Sequence, residues 1–130
     1  MKPNEWRVPT IEELTTLVDY SEHSPAMSKN CPFKNASSYW SSTTYAYYPG
    51  SAWYVDFSDG YVDGYYGKYG SAMYVRCVRG GQPESFDDLK WSEGDDGYLD
   101  KQTGLIWQRN PSKKQMKWQE AMDYAKTIRG

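Results

Sequence analysis

The chain lacks a basic excess. Its formal net charge is −2 over 130 residues, which excludes the electrostatic footprint of a nucleic-acid binder. It also lacks a long apolar run, and no window approaches the roughly 18 residues that a membrane-spanning helix requires. The opening "MKPNEW" has neither the basic nor the apolar region of a signal peptide. The chain is therefore expected to act in the cytoplasm or to be part of a longer exported protein. Histidine is represented by His23 alone, and no CxxC spacing occurs, so neither a metal ligand set nor a cofactor is predicted. Cys31 and Cys77 are too few for a disulfide framework, and one bridge or two thiols both remain open. No internal repeat is evident, which argues against a solenoid.

Aromatic residues are abundant, at 17% of the chain, and ten of the thirteen tyrosines fall between Tyr39 and Tyr74. A core needs no such local crowding. A recognition surface does use it, because tyrosine combines a rigid apolar ring with a polar tip.

The length suits one domain with one core. "VPTIEELTTLVDYS" predicts a helix: Thr10 and Glu13 fit a capping box, and Ile11, Leu14, Leu17 and Val18 make an apolar stripe. Residues 22–38 read as a loop. "YWSSTT" is a short strand. "AWYVDF" alternates, placing Trp53, Val55 and Phe57 on a core face and Tyr54 and Asp56 on the other, and "SDG" is a hairpin turn. "AMYVRCVR" predicts a further strand with Met73, Val75 and Cys77 on one face. Trp6, Trp40, Trp107 and Trp118 are expected in or beside the core. Residues 80–96 read as an acidic loop, and "YLDKQTGLIWQR" as a small hairpin. "KWQEAMDYAKTIRG" predicts a second helix with Trp118, Ala121, Met122, Ala125 and Ile128 inward and Gly130 at its C-terminal cap.

"WRVPTIEELTTLVDYS", "YWSSTT", "AWYVDFSDG" and "YVRCVRGG" resemble, in order, the later part of the bacterial Lcl C-terminal domain family, named after the terminal domain of a collagen-like surface adhesin. "DKQTGLIWQR" and "KWQEAMDYAKTIRG" resemble the opening strand and helix of the same family. Here those opening blocks follow the "VRGG" ending, so the order is reversed. The resemblance implies an α+β, C-type-lectin-like fold: a small twisted antiparallel sheet with two helices, circularly permuted or domain-swapped. A single domain, 1–130, then divides into 1–80 (the later part), 81–96 (a connecting loop) and 97–130 (the opening part). Permutation is tolerated where joined ends are exposed and close. The rival arrangement is a fragment across tandem repeats that forms a domain-swapped homo-oligomer.

Tyr45, Tyr47, Tyr48, Tyr61, Asp63, Tyr65, Tyr66 and Tyr69 lie in or beside loops and are the candidate ligand-binding residues. Their rings can stack on sugars or pack on protein epitopes, with cross-strand ring pairs covering the sheet as the plain structural alternative. The acidic run Glu93, Asp95, Asp96 and Asp100 invites calcium, but it lacks a full loop motif and reads as solvated turns. "QPE" at 82–84 falls outside the position of a lectin sugar motif.

The resulting expectation is a non-catalytic binding or adhesion module, extracellular or at a bacterial or phage surface as part of a longer protein. Its ligand would be a glycan, matrix component or protein. Three alternatives accompany it: a diversified target protein of a diversity-generating retroelement, a structural repeat or assembly unit, and an oxidase. The oxidase reading follows from the implied likeness to formylglycine-generating enzymes and would need a reactive Cys77 or Cys31.

Overall fold

Thr10 opens the first helix through the predicted reciprocal cap. Its hydroxyl accepts from the Glu13 amide at 3.2 Å, and the Glu13 carboxylate accepts from the Thr10 amide at 2.9 Å. The computed structural model describes residues 5–35, 37–64, 67–80, 91–94 and 97–128. In chain order the elements are α1 (Ile11–Thr15), β1 (Ser38–Thr44), β2 (Ala52–Asp56), β3 (Tyr61–Asp63), β4 (Val78–Gly80), β5 (Trp91–Glu93), β6 (Gly97–Asp100), β7 (Leu105–Gln108) and α2 (Trp118–Thr127). The fold is α+β, with one antiparallel sheet ordered β1-β2-β3 and another ordered β4-β7-β6-β5.

α1 is shorter than its apolar stripe. The hydroxyls of Thr15 and Thr16 bond back to the carbonyls of Glu12 and Glu13, a local competition that ends helices. Val18 then pairs with Met27. The stripe itself holds, since Leu14 and Leu17 are buried and Ile11 and Val18 pack beside them.

β1 and β2 form a ribbon between two apolar clusters. Tyr39, Val55 and Phe57 enter one cluster with Leu14, Met27, Phe33 and Trp107. Trp40, Ala52 and Tyr54 enter the other with Trp6, Val8, Val75 and Cys77. Alternation along a strand therefore sends successive side chains into different cores. This corrects the expectation for Tyr54: it is buried, because α2 and the Trp6–Val8 segment cover the face assigned to solvent. Trp53 differs in the opposite sense. It is only partly buried and stacks on Tyr45 at the sheet's end instead of entering the core.

Two further segments depart from expectation. Met73, Val75 and Cys77 do share the second cluster, but only Val78–Gly80 forms a ladder strand. Tyr74 makes an isolated parallel bridge to Tyr39, and Met73 an isolated antiparallel one to Met116. Between Tyr74 and β4, Arg76 turns inward and is 3% exposed. Its guanidinium donates to Asn35 Oδ1 at 2.7 Å and to the Gln108 and Arg109 carbonyls at 2.6 and 2.9 Å, and it stacks over Phe33. Burial lowers its pKa from the ordinary arginine value. Residues 91–93, expected as loop, form β5 on β6. Loop 22–38 supplies Met27, Cys31 and Phe33 to the first cluster.

The trailing segment completes both clusters. β7 pairs with β4 through Val78↔Trp107, Arg79↔Ile106 and Gly80↔Leu105. α2 places Ala121 and Ala125 against Trp6 and Val8, with Trp118, Met122 and Ile128 packed alongside. The indole N–H groups of Trp40 and Trp118 donate across this seam to the carbonyls of Met116 and Ser41, at 2.8 and 3.0 Å. Gly130 lies outside the described residues. No helix among the described residues is long and apolar enough to cross a membrane.

Candidate functional site

The turn between β1 and β2 is closed by its own backbone. The Tyr45 amide donates to the Ser51 carbonyl at 2.9 Å, and the Ser51 amide donates to the Tyr48 carbonyl at 2.8 Å. The register shift of β1 between Trp40 and Thr44 precedes this turn. The Tyr45 ring lies parallel to Trp53, with centroids 5.0 Å apart and planes at 4°. Tyr47 and Tyr48 flank Tyr45 at 5.8 and 6.1 Å, each steeply tilted.

Gly64 is the socket of this arrangement. A Cβ there would fall 1.7 Å from Tyr45 Cδ1, so only glycine lets the ring lie where it does. The outer rings stand in solvent, Tyr47 at 83% and Tyr48 at 64% exposure.

The 67–70 turn adjoins the first. Gly67 bridges Ser51, and the Lys68 amide donates to the Gly50 carbonyl at 2.7 Å. Tyr69 stands out at 79% exposure. The Lys68 ammonium donates to Thr44 Oγ1 at 2.8 Å and sits 4.1 Å from the Trp118 ring centroid, a cation–π contact that fixes a positive charge beside the tyrosines.

Tyr45, Tyr47 and Tyr48 are thus brought together, with Tyr69 on the turn joined to them. Tyr61 and Asp63 are placed elsewhere. Their partners across the ladder are Asp56 and Tyr54, so they project from the face opposite Trp53 and Tyr45. The Tyr61 hydroxyl donates to Asp63 Oδ2 at 3.2 Å. Tyr65 and Tyr66 lie outside the described residues. Sequence reasoning missed Lys68 and Trp53 as neighbours of the tyrosines. The missed signal was the pairing of the 45–51 and 67–70 turns, which no periodicity records.

The other chemistry-bearing groups are dispersed. Cys77 is fully buried, and burial pushes its thiol up to about 12, so it is a neutral thiol at physiological pH. Cys31 belongs to the other cluster, and no disulfide joins the two. His23 is exposed. Glu93 pairs with Arg109, and Asp100 is buried and caps the turn before β7 through the Gln102 amide. Asp95 and Asp96 lie outside the described residues. Among the described residues, no three His, Cys, Asp or Glu side chains converge as a metal site.

No curated protein and no solved structure matches the chain. The family model of the Lcl C-terminal domain matches residues 2–79, the span that runs from the segment before Trp6 through α1 and the β1–β3 sheet to β4. On that match the chain belongs to the Lcl C-terminal domain family.

Proposed function

We propose that the chain is a non-catalytic recognition module of a bacterial or phage surface protein. It binds a glycan, matrix component or protein through the tyrosines of its joined turns. The observation that carries this reading is the pair of exposed rings, Tyr47 and Tyr48, buttressed by the Tyr45–Trp53 stack. Exposed apolar rings held by an inner stack cost little conformational entropy on binding. A glycan and matrix-protein array tests it. A ligand is expected whose binding is lost in Tyr47→Ala and Tyr48→Ala proteins that keep the native circular dichroism spectrum. Absence of any ligand, or full binding by both variants, overturns the reading.

We further infer a C-type-lectin-like topology in permuted order. The support is that the family match ends near β4, while β7 and α2, from the unmatched segment, complete its sheet and core. A rearranged chain with 91–130 preceding 1–80 is expected to fold with the same near-ultraviolet spectrum. Failure to fold counts against permutation.

A further inference from the structure

A second aromatic groove lies at the hairpin tip, apart from the tyrosine turns. It is a shallow depression of about 290 Å³, open to solvent and lined by Tyr20, Asp59, Gly60, Tyr61 and Val62. Gly60 is its floor: φ is +83°, and a Cβ there would meet the Tyr20 ring at 3.0 Å. Tyr20 is 72% exposed and Tyr61 55%. The two loops are tied together, because the Ser24 amide donates to the Ser58 carbonyl at 2.8 Å and the Ala26 amide to the Phe57 carbonyl at 2.6 Å.

The one charged side chain lining the groove, Asp59, is negative. No lysine or arginine occurs between Arg7 and Lys29 or between Lys34 and Lys68, whereas Asp19, Glu22, Asp56, Asp59 and Asp63 fall within those spans. Two tyrosine rings beside a carboxylate attract a cation by ring quadrupole and charge together.

The strand edge adds a main-chain element. Trp40 and Ser38 direct backbone bonds to Tyr74, so Tyr39, between them, turns its own toward Val55 of β2. Val55 therefore faces β1, and Val62, opposite Val55 on the other side, turns its amide and carbonyl away from the sheet. β3 is the last strand of that sheet. An extended polypeptide can use such an edge, whereas a small amine cannot.

We propose that the Tyr20–Tyr61 groove docks a lysine or arginine side chain of an extended partner polypeptide lying along β3. The proposal stands apart from the tyrosine-turn reading and does not depend on it.

The test is a titration of ¹⁵N-labelled protein with a hexa-arginine peptide, using hexa-glutamate as the control. The amide signals of Gly60, Tyr61 and Val62 are expected to shift with the first peptide only. Tyr20→Ala and Asp59→Asn are each expected to weaken binding about two- to fivefold, and Tyr47→Ala to leave it unchanged. Asparagine keeps the oxygen that accepts from the Tyr61 amide, so the fold of the tip is retained. Shifts that bypass Gly60–Val62, or an affinity insensitive to both groove variants, overturn the proposal. Self-association of the protein that Tyr20→Ala abolishes would assign the groove to a second copy and overturn it as well.

Discussion

Tyr45 lies face to face with Trp53, ring centroids 5.0 Å apart and planes 4° from parallel, and Gly64 leaves the space its ring occupies. The inner ring therefore acts as a support, and the rings left standing in solvent are Tyr47, Tyr48 and Tyr69.

Gly64→Ala should break this support. The added methyl overlaps the Tyr45 ring, so the ring must leave Trp53 at a cost of about 1–3 kcal/mol. Chemical denaturation measures the loss, and altered tryptophan fluorescence reports the broken stack. A variant as stable as the native chain, with unchanged emission, would show that the ring has no fixed seat.

Tyr47→Ala and Tyr69→Ala should each change stability by no more than about 0.5 kcal/mol, since both side chains are exposed. Thermal melts check this. A large loss from either would mean that the ring is part of the core.

Arg76→Ala should destabilise the fold by roughly 1–3 kcal/mol, because it removes the donor to the buried Asn35 oxygen and to the part-buried carbonyls of Gln108 and Arg109. Urea unfolding reads the difference. Arg76→Lys should recover only part of it, since an ammonium cannot reproduce the planar fork.

Cys77 should resist thiol reagents in the folded protein at pH 8 and react once the chain unfolds. The folded thiol sits at about 12, above an unfolded value near 8.5. As pH rises past that unfolded value, the unfolded chain loses a proton that the folded chain keeps. Stability is then expected to fall with pH between those two values. Cys77→Ser should flatten that limb of the stability profile.

Glu13 gives the acid limb. Burial would raise its carboxyl, but hydrogen bonds from Arg7 and the Thr10 backbone and the Arg7 charge outweigh this and hold it below the usual value. Its contribution is complete above the unfolded carboxyl value, near 4.3, and is lost as pH falls through the lower folded value. Glu13→Gln should remove that dependence and cost about 1–2 kcal/mol at neutral pH.

The helical stripes, the Thr10–Glu13 cap and the 97–108 hairpin were legible because each rests on local spacing. Trp40, Val55, Phe57, Val75 and Cys77 were legible as core because their side chains alternate or recur. Tyr54 was not, because its burial depends on α2 folding back from sixty residues further along the chain. Met27, Cys31 and Phe33 sit in a loop without period, so only tertiary packing shows their place. Arg76 reads as a surface charge until its neutral oxygen partners are seen. At the candidate surface, tyrosine crowding marked the turns where Tyr45, Tyr47 and Tyr48 cluster, but one-dimensional proximity joined Tyr61 and Asp63 to rings on the opposite face. Tyr20 was overlooked because its partner loop lies some forty residues away in the chain.

The β1–β2 ribbon also limits where this domain can acquire new chemistry. Tyr39 and Trp40 of β1, and Val55 and Tyr54 of β2, enter two separate interiors, so inserting one residue ahead of either pair would exchange both inventories at once. Innovation is channelled into the connecting turns, where length and side chain are free to drift while the ladder beneath keeps its beat.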